Sequence, residues 1–150
     1  MSKVLIVYAS LTGNTEEIAE LIAEGIRAAG SEAVLKMVED CNAAEFLNYD
    51  ALMLGAYTWG DGELPDEFID FIEEMEELDL KGRTAAAFGS GDTGYRIYCG
   101  AVDQLESKLE ELGAVLAQPS LKIEYGPNQE EKGLCREFGV MFIQSLGVAT

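Results

Sequence analysis

Apolar residues follow two different periods along this chain. The runs "KVLIVYA" (residues 3–9), "ALMLGAY" (51–57) and "RTAAAFG" (83–89) are nearly unbroken, as strands covered on both faces must be. "EAVLKMV" (32–38) and the weaker "AVLAQPSLKIEY" (114–125) make five such runs. Between them the spacing turns helical: after the first run Ile18, Ile22, Gly25, Ile26 and Ala29 share one face. Comparable patterns predict helices over 15–29, 65–78, 101–112 and 129–146, with a short helical piece at 43–47. Gly30 and Gly113 stand where helices end, and Pro65 where one begins. Strands alternating with helices predict an α/β fold, a doubly wound parallel sheet with helices on both faces. With no repeat, linker or low-complexity tract, residues 1–150 read as one domain. Ligands of such sheets bind beyond the carboxyl ends of the strands, where the strand order reverses. The turns after Ala9, Tyr57 and Gly89 should therefore converge.

Those turns hold the unusual chemistry. In "YASLTGNTEE", Ser10, Thr12, Asn14 and Thr15 bring hydroxyls and an amide to a helix start, and Gly13 permits close backbone approach. Unpaired N–H groups there carry about half a positive charge, which makes an anion site. The plain alternative is an ordinary capped turn with Asn14 or Thr15 as N-cap, but four polar side chains exceed what one cap needs. The motif lacks the G-K-[ST] ending of a triphosphate loop and suits a lone phosphate. In "YTWGDGELP", the single tryptophan, Trp59, sits on a turn with Gly60 and Gly62, while Tyr95 stands in the other loop, available for the opposite face of a flat ligand. "GSGDTG" (89–94) satisfies G-x-G-x-x-G, yet it follows the fourth strand, and Glu110 and Glu111, some 20 residues on, lie inside a helix. Dinucleotide binding is rejected on that placement; the glycines instead let backbone amides approach a planar edge.

Charge and residue types narrow the function further. A net charge of -18 and a pI near 4.1 argue against nucleic acid and anionic membranes and call for basic partners. There is no histidine, so Ser-His, Cys-His and His-ligated metal chemistry are excluded. Cys41, Cys99 and Cys135 show no C-x-x-C spacing, and "MSKVLIV" is too short for a signal peptide; both suit a reducing cytoplasm.

A phosphate cup, two aromatic walls and glycine-rich edges describe a mononucleotide with a planar ring. With "SLTGNTE", "TWGDGELP" and "FGSGDTGYRIYCGAVD" in that order, the sequence resembles the short-chain flavodoxins from Lys3 to the C-terminal helix. The resemblance implies a five-stranded sheet of order 2-1-3-4-5 and noncovalently bound FMN. It implies phosphate contacts from Ser10, Leu11, Thr12, Gly13, Asn14 and Thr15, with Thr58 near the phosphate and ribityl chain. Trp59 and Tyr95 would stack on the isoalloxazine, and Ser90, Gly91, Asp92 and Cys99 would line its pyrimidine edge. The Gly60-Asp61 peptide is expected to flip when the flavin gains its first electron and proton. Cys99 is read as packing rather than as a redox thiol.

By the same resemblance, the chain is expected to be a monomeric, low-potential one-electron carrier without a substrate of its own, cycling between semiquinone and hydroquinone. Its partners would be redox proteins with basic docking surfaces: flavodoxin or ferredoxin reductases and acceptor enzymes. From Asp61 to Asp79 there are ten carboxylates and no cation. One carboxylate about 10 Å from the flavin would oppose an added electron by roughly 0.5–1.7 kcal/mol, or about 20–70 mV. Asp61, Glu63, Asp66 and Glu67 start at the flavin loop, whereas Glu73, Glu74, Glu76 and Glu77 read as a solvated helix face. The alternatives are an NAD(P)H-dependent quinone reductase of the same fold, which an acidic rim disfavours, and a receiver domain, whose acidic cluster "YASLTG" lacks.

Overall fold

The computed structural model describes residues 3–9, 13–57, 65–91, 100–124 and 127–148. The strands are β1 (Lys3–Ala9), β2 (Glu32–Met37), β3 (Ala51–Tyr57), β4 (Thr84–Gly91), β5 (Val115–Leu116) and β6 (Leu121–Glu124). The helices are α1 (Asn14–Ala28), α2 (Asp66–Met75), α3 (Gly100–Glu111) and α4 (Gln129–Val148). All pairings are parallel, in the order β2-β1-β3-β4 followed by β5 and β6 on the outer side of β4. The expected order 2-1-3-4-5 is observed, with the reversal falling between β1 and β3.

Alternation along the strands divides the core in two. Val4, Ile6 and Tyr8 of β1, Met53 of β3 and Ala86 and Phe88 of β4 meet Ile18, Ile22 and Ile26 of α1 and Cys135, Phe138 and Phe142 of α4. Leu5, Val7, Leu52, Leu54, Ala85 and Ala87 face the other way, toward Phe68, Phe71 and Met75 of α2 and Val102, Leu105 and Leu109 of α3. Burial on both faces explains why β1, β3 and β4 show no polar alternation. On the first face α1 and α4 touch backbone to backbone. A Cβ on Gly25 would lie 1.9 Å from the Arg136 carbonyl oxygen, and one on Gly139 would lie 2.2 Å from that of Ile22.

Three expectations are corrected. The run 114–125 is two strands. Leu116 pairs with Ala85 and Leu121 with Phe88, so the edge chain spends five steps against three on β4; the Ala117 N–H still donates to the Ala85 carbonyl at 3.0 Å, and residues 118–120 loop out. Pro119 explains the break, since it donates no N–H to a ladder. The second run ends early: β2 stops at Met37, and Val38–Asp40 turn as a 3-10 helix that buries Val38. The short piece near residue 43 is also 3-10, Ala43–Asn48. Glu45 accepts from the Asn42 N–H at 2.9 Å and pairs with Lys36, while Glu74 of α2 accepts from the Ala43 N–H at 3.2 Å. α2 ends at Met75 rather than Leu78.

Candidate functional site

The carboxyl ends of β1, β3 and β4 lie side by side, since Ala9 pairs with Ala56 and Tyr57 with Ser90. The three turns that carry the unusual chemistry therefore leave one edge of the sheet. The first delivers α1, whose N-cap is Gly13 at φ +89°, not Asn14 or Thr15 as the capped-turn alternative required. Asn14 and Thr15 are the first two helical residues. Gly13 has no side chain to accept from the first-turn N–H groups, and nothing lies within 4 Å of where its Cβ would be. The left-handed backbone at this position costs glycine little, whereas any side chain would be strained there.

Beneath this N-terminus, Thr15 Oγ1 and Ser90 Oγ lie 2.8 Å apart in a hydrogen bond spanning 75 positions of sequence. Thr15 is 1% exposed and Ser90 5%, the two buried polar residues of the described core. Ser90 and Gly91 end β4 rather than opening a loop. Ser90 falls two and four positions after Phe88 and Ala86, so the strand period turns its side chain to the face covered by α1. Gly89 points to the opposite face, where a Cβ would meet Val102 Cγ2 at 2.5 Å and the Ala56 carbonyl oxygen at 2.1 Å.

Two nearby groups escaped the sequence reading. The Tyr8 hydroxyl donates to Glu16 Oε2 at 3.1 Å. Burial first, then the Glu16 carboxylate, push the Tyr8 hydroxyl up to about 12. It remains a donor at neutral pH. The sequence shows no cation between Lys3 and Arg27, but the fold brings one from α4: Lys132 Nζ stands 3.6 Å from a carboxylate oxygen of Glu17 in the first turn of α1. Both side chains are partly exposed, so the pair is worth at most about 1 kcal/mol. Lys122 of β6, level with Gly89, is likewise paired with Asp103 at 2.7 Å. Both partners came from contacts distant in sequence, which local spacing does not show.

Of the residues named from sequence, the structure places Gly13, Asn14, Thr15, Ser90 and Gly91 at this edge and joins Thr15 to Ser90. Ser10, Leu11, Thr12, Thr58, Trp59, Gly60, Asp61, Asp92, Tyr95 and Cys99 lie outside the described residues, as do Glu63 and Arg96. Asp66 opens α2 and is exposed. Cys41 and Cys135 are buried free thiols, pushed up to about 12 and about 11, mainly by burial. Among the described residues no group of three or more Cys, Asp or Glu is placed to hold a metal ion. No described helix is long and apolar enough to cross a membrane.

An N-terminus with a glycine cap, lined by hydroxyl and amide side chains, fits a phosphate ester. A parallel sheet that presents this feature at its strand-order switch defines an α/β mononucleotide-binding protein. The flavodoxin family model matches residues 6–139. "Probable flavodoxin 2" of Bacillus subtilis is 48% identical over 150 residues, covering 99% of each chain. The flavodoxin of Maridesulfovibrio salexigens is 46% identical over 134 residues, covering 87% of this chain and 92% of its own. The crystal structure of oxidised flavodoxin 1 from Bacillus cereus superposes with a TM-score of 0.92 at 44% identity, covering 95% of this chain and 98% of that one. The chain belongs to the flavodoxin family and is an FMN-based electron carrier.

Proposed function

We propose that FMN lies along the carboxyl edge of the sheet with its phosphate at the N-terminus of α1, on Ser10, Leu11, Thr12, Gly13, Asn14 and Thr15. Its ring then falls among Thr58, Trp59, Gly60, Asp61, Gly91, Asp92, Tyr95 and Cys99, while the Ser90 hydroxyl is turned toward Thr15 at the start of α1. The observation that supports this arrangement best is the buried Thr15–Ser90 hydrogen bond, which ties the start of α1 to the end of β4. Bound FMN supplies the one-electron chemistry, and the protein supplies binding and field. Gly13, Asn14 and Thr15 offer backbone and neutral side-chain donors, and Lys132 is already paired with Glu17. The phosphate thus keeps its negative charge, which adds to the carboxylates of the Asp61–Glu67 segment in opposing further reduction.

The whole chain acts as a single-domain, monomeric carrier in the reducing cytoplasm, without a substrate of its own. Its acidic rim meets redox proteins with basic docking faces in weak, salt-sensitive complexes. Mixing the FMN-loaded protein with NADPH tests the carrier role against a quinone reductase. The expected result is no reduction by NADPH alone and fast reduction once a trace of a flavodoxin or ferredoxin reductase is added, slowing as salt rises. Rapid reduction by NADPH alone would overturn it.

A further inference from the structure

Ser90 was expected to serve the ring of the flavin, and the position of its hydroxyl points elsewhere. We propose that Ser90 is a positioning residue for the phosphate: its hydroxyl donates to Thr15 Oγ1 and thereby frees the Thr15 proton for a phosphate oxygen. The inference rests on the reading of Thr15 as a phosphate contact.

Each hydroxyl has one proton to give and lone pairs to accept with, so a hydroxyl pair can run in either direction. At 2.8 Å the Thr15–Ser90 bond consumes one of the two protons. If Thr15 donates, its proton points into the sheet and it presents only lone pairs to an anion. If Ser90 donates, the Thr15 proton is left over. A threonine inside a helix can spend that proton on a carbonyl three or four residues back. Thr15 is only the second residue of α1, so α1 itself has no carbonyl three or four residues back. Solvent does not take the proton either, since Thr15 is 1% exposed.

An anion at the N-terminus of α1 therefore selects the direction Ser90 to Thr15 to phosphate. Accepting from Ser90 also polarises the Thr15 hydroxyl and makes it a better donor. Alternation along β4 holds Ser90 on the α1 face with Ala86 and Phe88, so the arrangement is built into the strand rather than into a loop. The consequence is discrimination between flavins that do and do not carry a phosphate.

The test uses the full-length apoprotein and three probes: FMN, riboflavin and inorganic phosphate. Flavin binding is read by fluorescence quenching and phosphate binding by its 31P signal. Ser90→Ala is expected to weaken FMN and inorganic phosphate about five- to tenfold and leave riboflavin unchanged. Thr15→Val should weaken FMN at least as much, and the double variant should bind FMN no worse than Thr15→Val. Ser90→Cys, nearly isosteric with a weaker donor, should fall between wild type and Ser90→Ala, and it keeps the test open should Ser90→Ala fail to fold. Equal losses for FMN and riboflavin would overturn the proposal by showing that Ser90 acts on the ring or the fold. Additive losses in the double variant would also overturn it. Failure of the underlying reading looks different: Thr15→Val would bind FMN as wild type does, or the wild type would not prefer FMN over riboflavin.

Discussion

Replacing Gly25 with alanine should destabilise the protein, although alanine is the better helix former by about 1 kcal/mol. The reason is the crossing of α1 and α4. A Cβ at Gly25 would lie 1.9 Å from the Arg136 carbonyl oxygen and 2.8 Å from its carbonyl carbon. A carbon and a carbonyl oxygen normally approach no closer than about 3.3 Å, so roughly 1.4 Å of clearance is missing. The obstacle is helical backbone, which cannot rotate away as a side chain would. Gly139 makes the reciprocal approach, with a Cβ 2.2 Å from the Ile22 carbonyl oxygen and 3.0 Å from the Ile26 nitrogen. Relief requires the two helices to part along a contact that buries Ile22, Ile26, Cys135, Phe138 and Phe142. Gaps of 0.5–1 Å forfeit a quarter to a half of each dispersion well. Overpacking of this kind costs about 3–4 kcal/mol, at or above the usual range, and the helix propensity returns about 1, leaving a net loss of about 2–3 kcal/mol. Gly133→Ala on α4 is the internal control, because nothing lies within 4 Å of its Cβ position. It should stabilise by up to about 1 kcal/mol. Urea denaturation of the apoproteins separates the two, and FMN affinity should fall for Gly25→Ala, since α1 carries the phosphate cup, and not for Gly133→Ala. A Gly25→Ala variant as stable as Gly133→Ala would refute the reasoning.

Three further outcomes are expected. Tyr8, Cys41 and Cys135 are all held neutral by the fold, with pKa values raised to about 12, 12 and 11. The unfolded chain releases these protons first, so their contribution is intact below about pH 9 and is lost as pH climbs toward 12; the urea midpoint should decline over that range, and less steeply in a Cys41→Ala/Cys135→Ala variant. An unchanged slope in that variant would show that the thiols contribute nothing. By the same shifts, both thiols should resist a disulfide reagent at pH 8 until the protein is unfolded, and prompt reaction of either in the native state would contradict its placement. Neutralising Asp61 or Glu63 to the amide should raise the second one-electron potential by about 20–70 mV each at low salt and by less at high salt, and a shift of the opposite sign would dismiss the field argument.

How much of this was legible in the sequence varied with the physics involved. The apolar runs of β1, β3 and β4 marked strands buried on both faces, and the glycines at 30 and 113, both found at positive φ, marked helix ends. The edge of the sheet was harder to read, because "AVLAQPSLKIEY" is apolar enough for one strand and its slippage against β4 is a pairing fact. Val38 looked like the end of a strand because burial is the same whether the backbone is extended or a 3-10 turn. The acidic stretch is the solvated face that it reads as, with Glu73, Glu74, Glu76 and Glu77 all exposed, but two partners on it had no local signal: Glu74 accepts from the Ala43 N–H, and Glu76 pairs with Lys108 at 3.0 Å. At the site, hydroxyls at 15 and 90 could be named singly, but nothing local showed that they meet. The strand period did contain the clue, since Ser90 shares its parity with Phe88 and Ala86. The close passage at Gly25 and Gly139 had no sequence signal beyond two glycines in helical patterns.

The central claim is tested most directly by reducing the purified, FMN-loaded protein stepwise under anaerobic conditions while recording its potential and visible spectrum. The account predicts two separated one-electron steps, with a half-reduced form absorbing at long wavelength accumulating between them and the second electron entering only at low potential. A single two-electron step with no half-reduced form would contradict it.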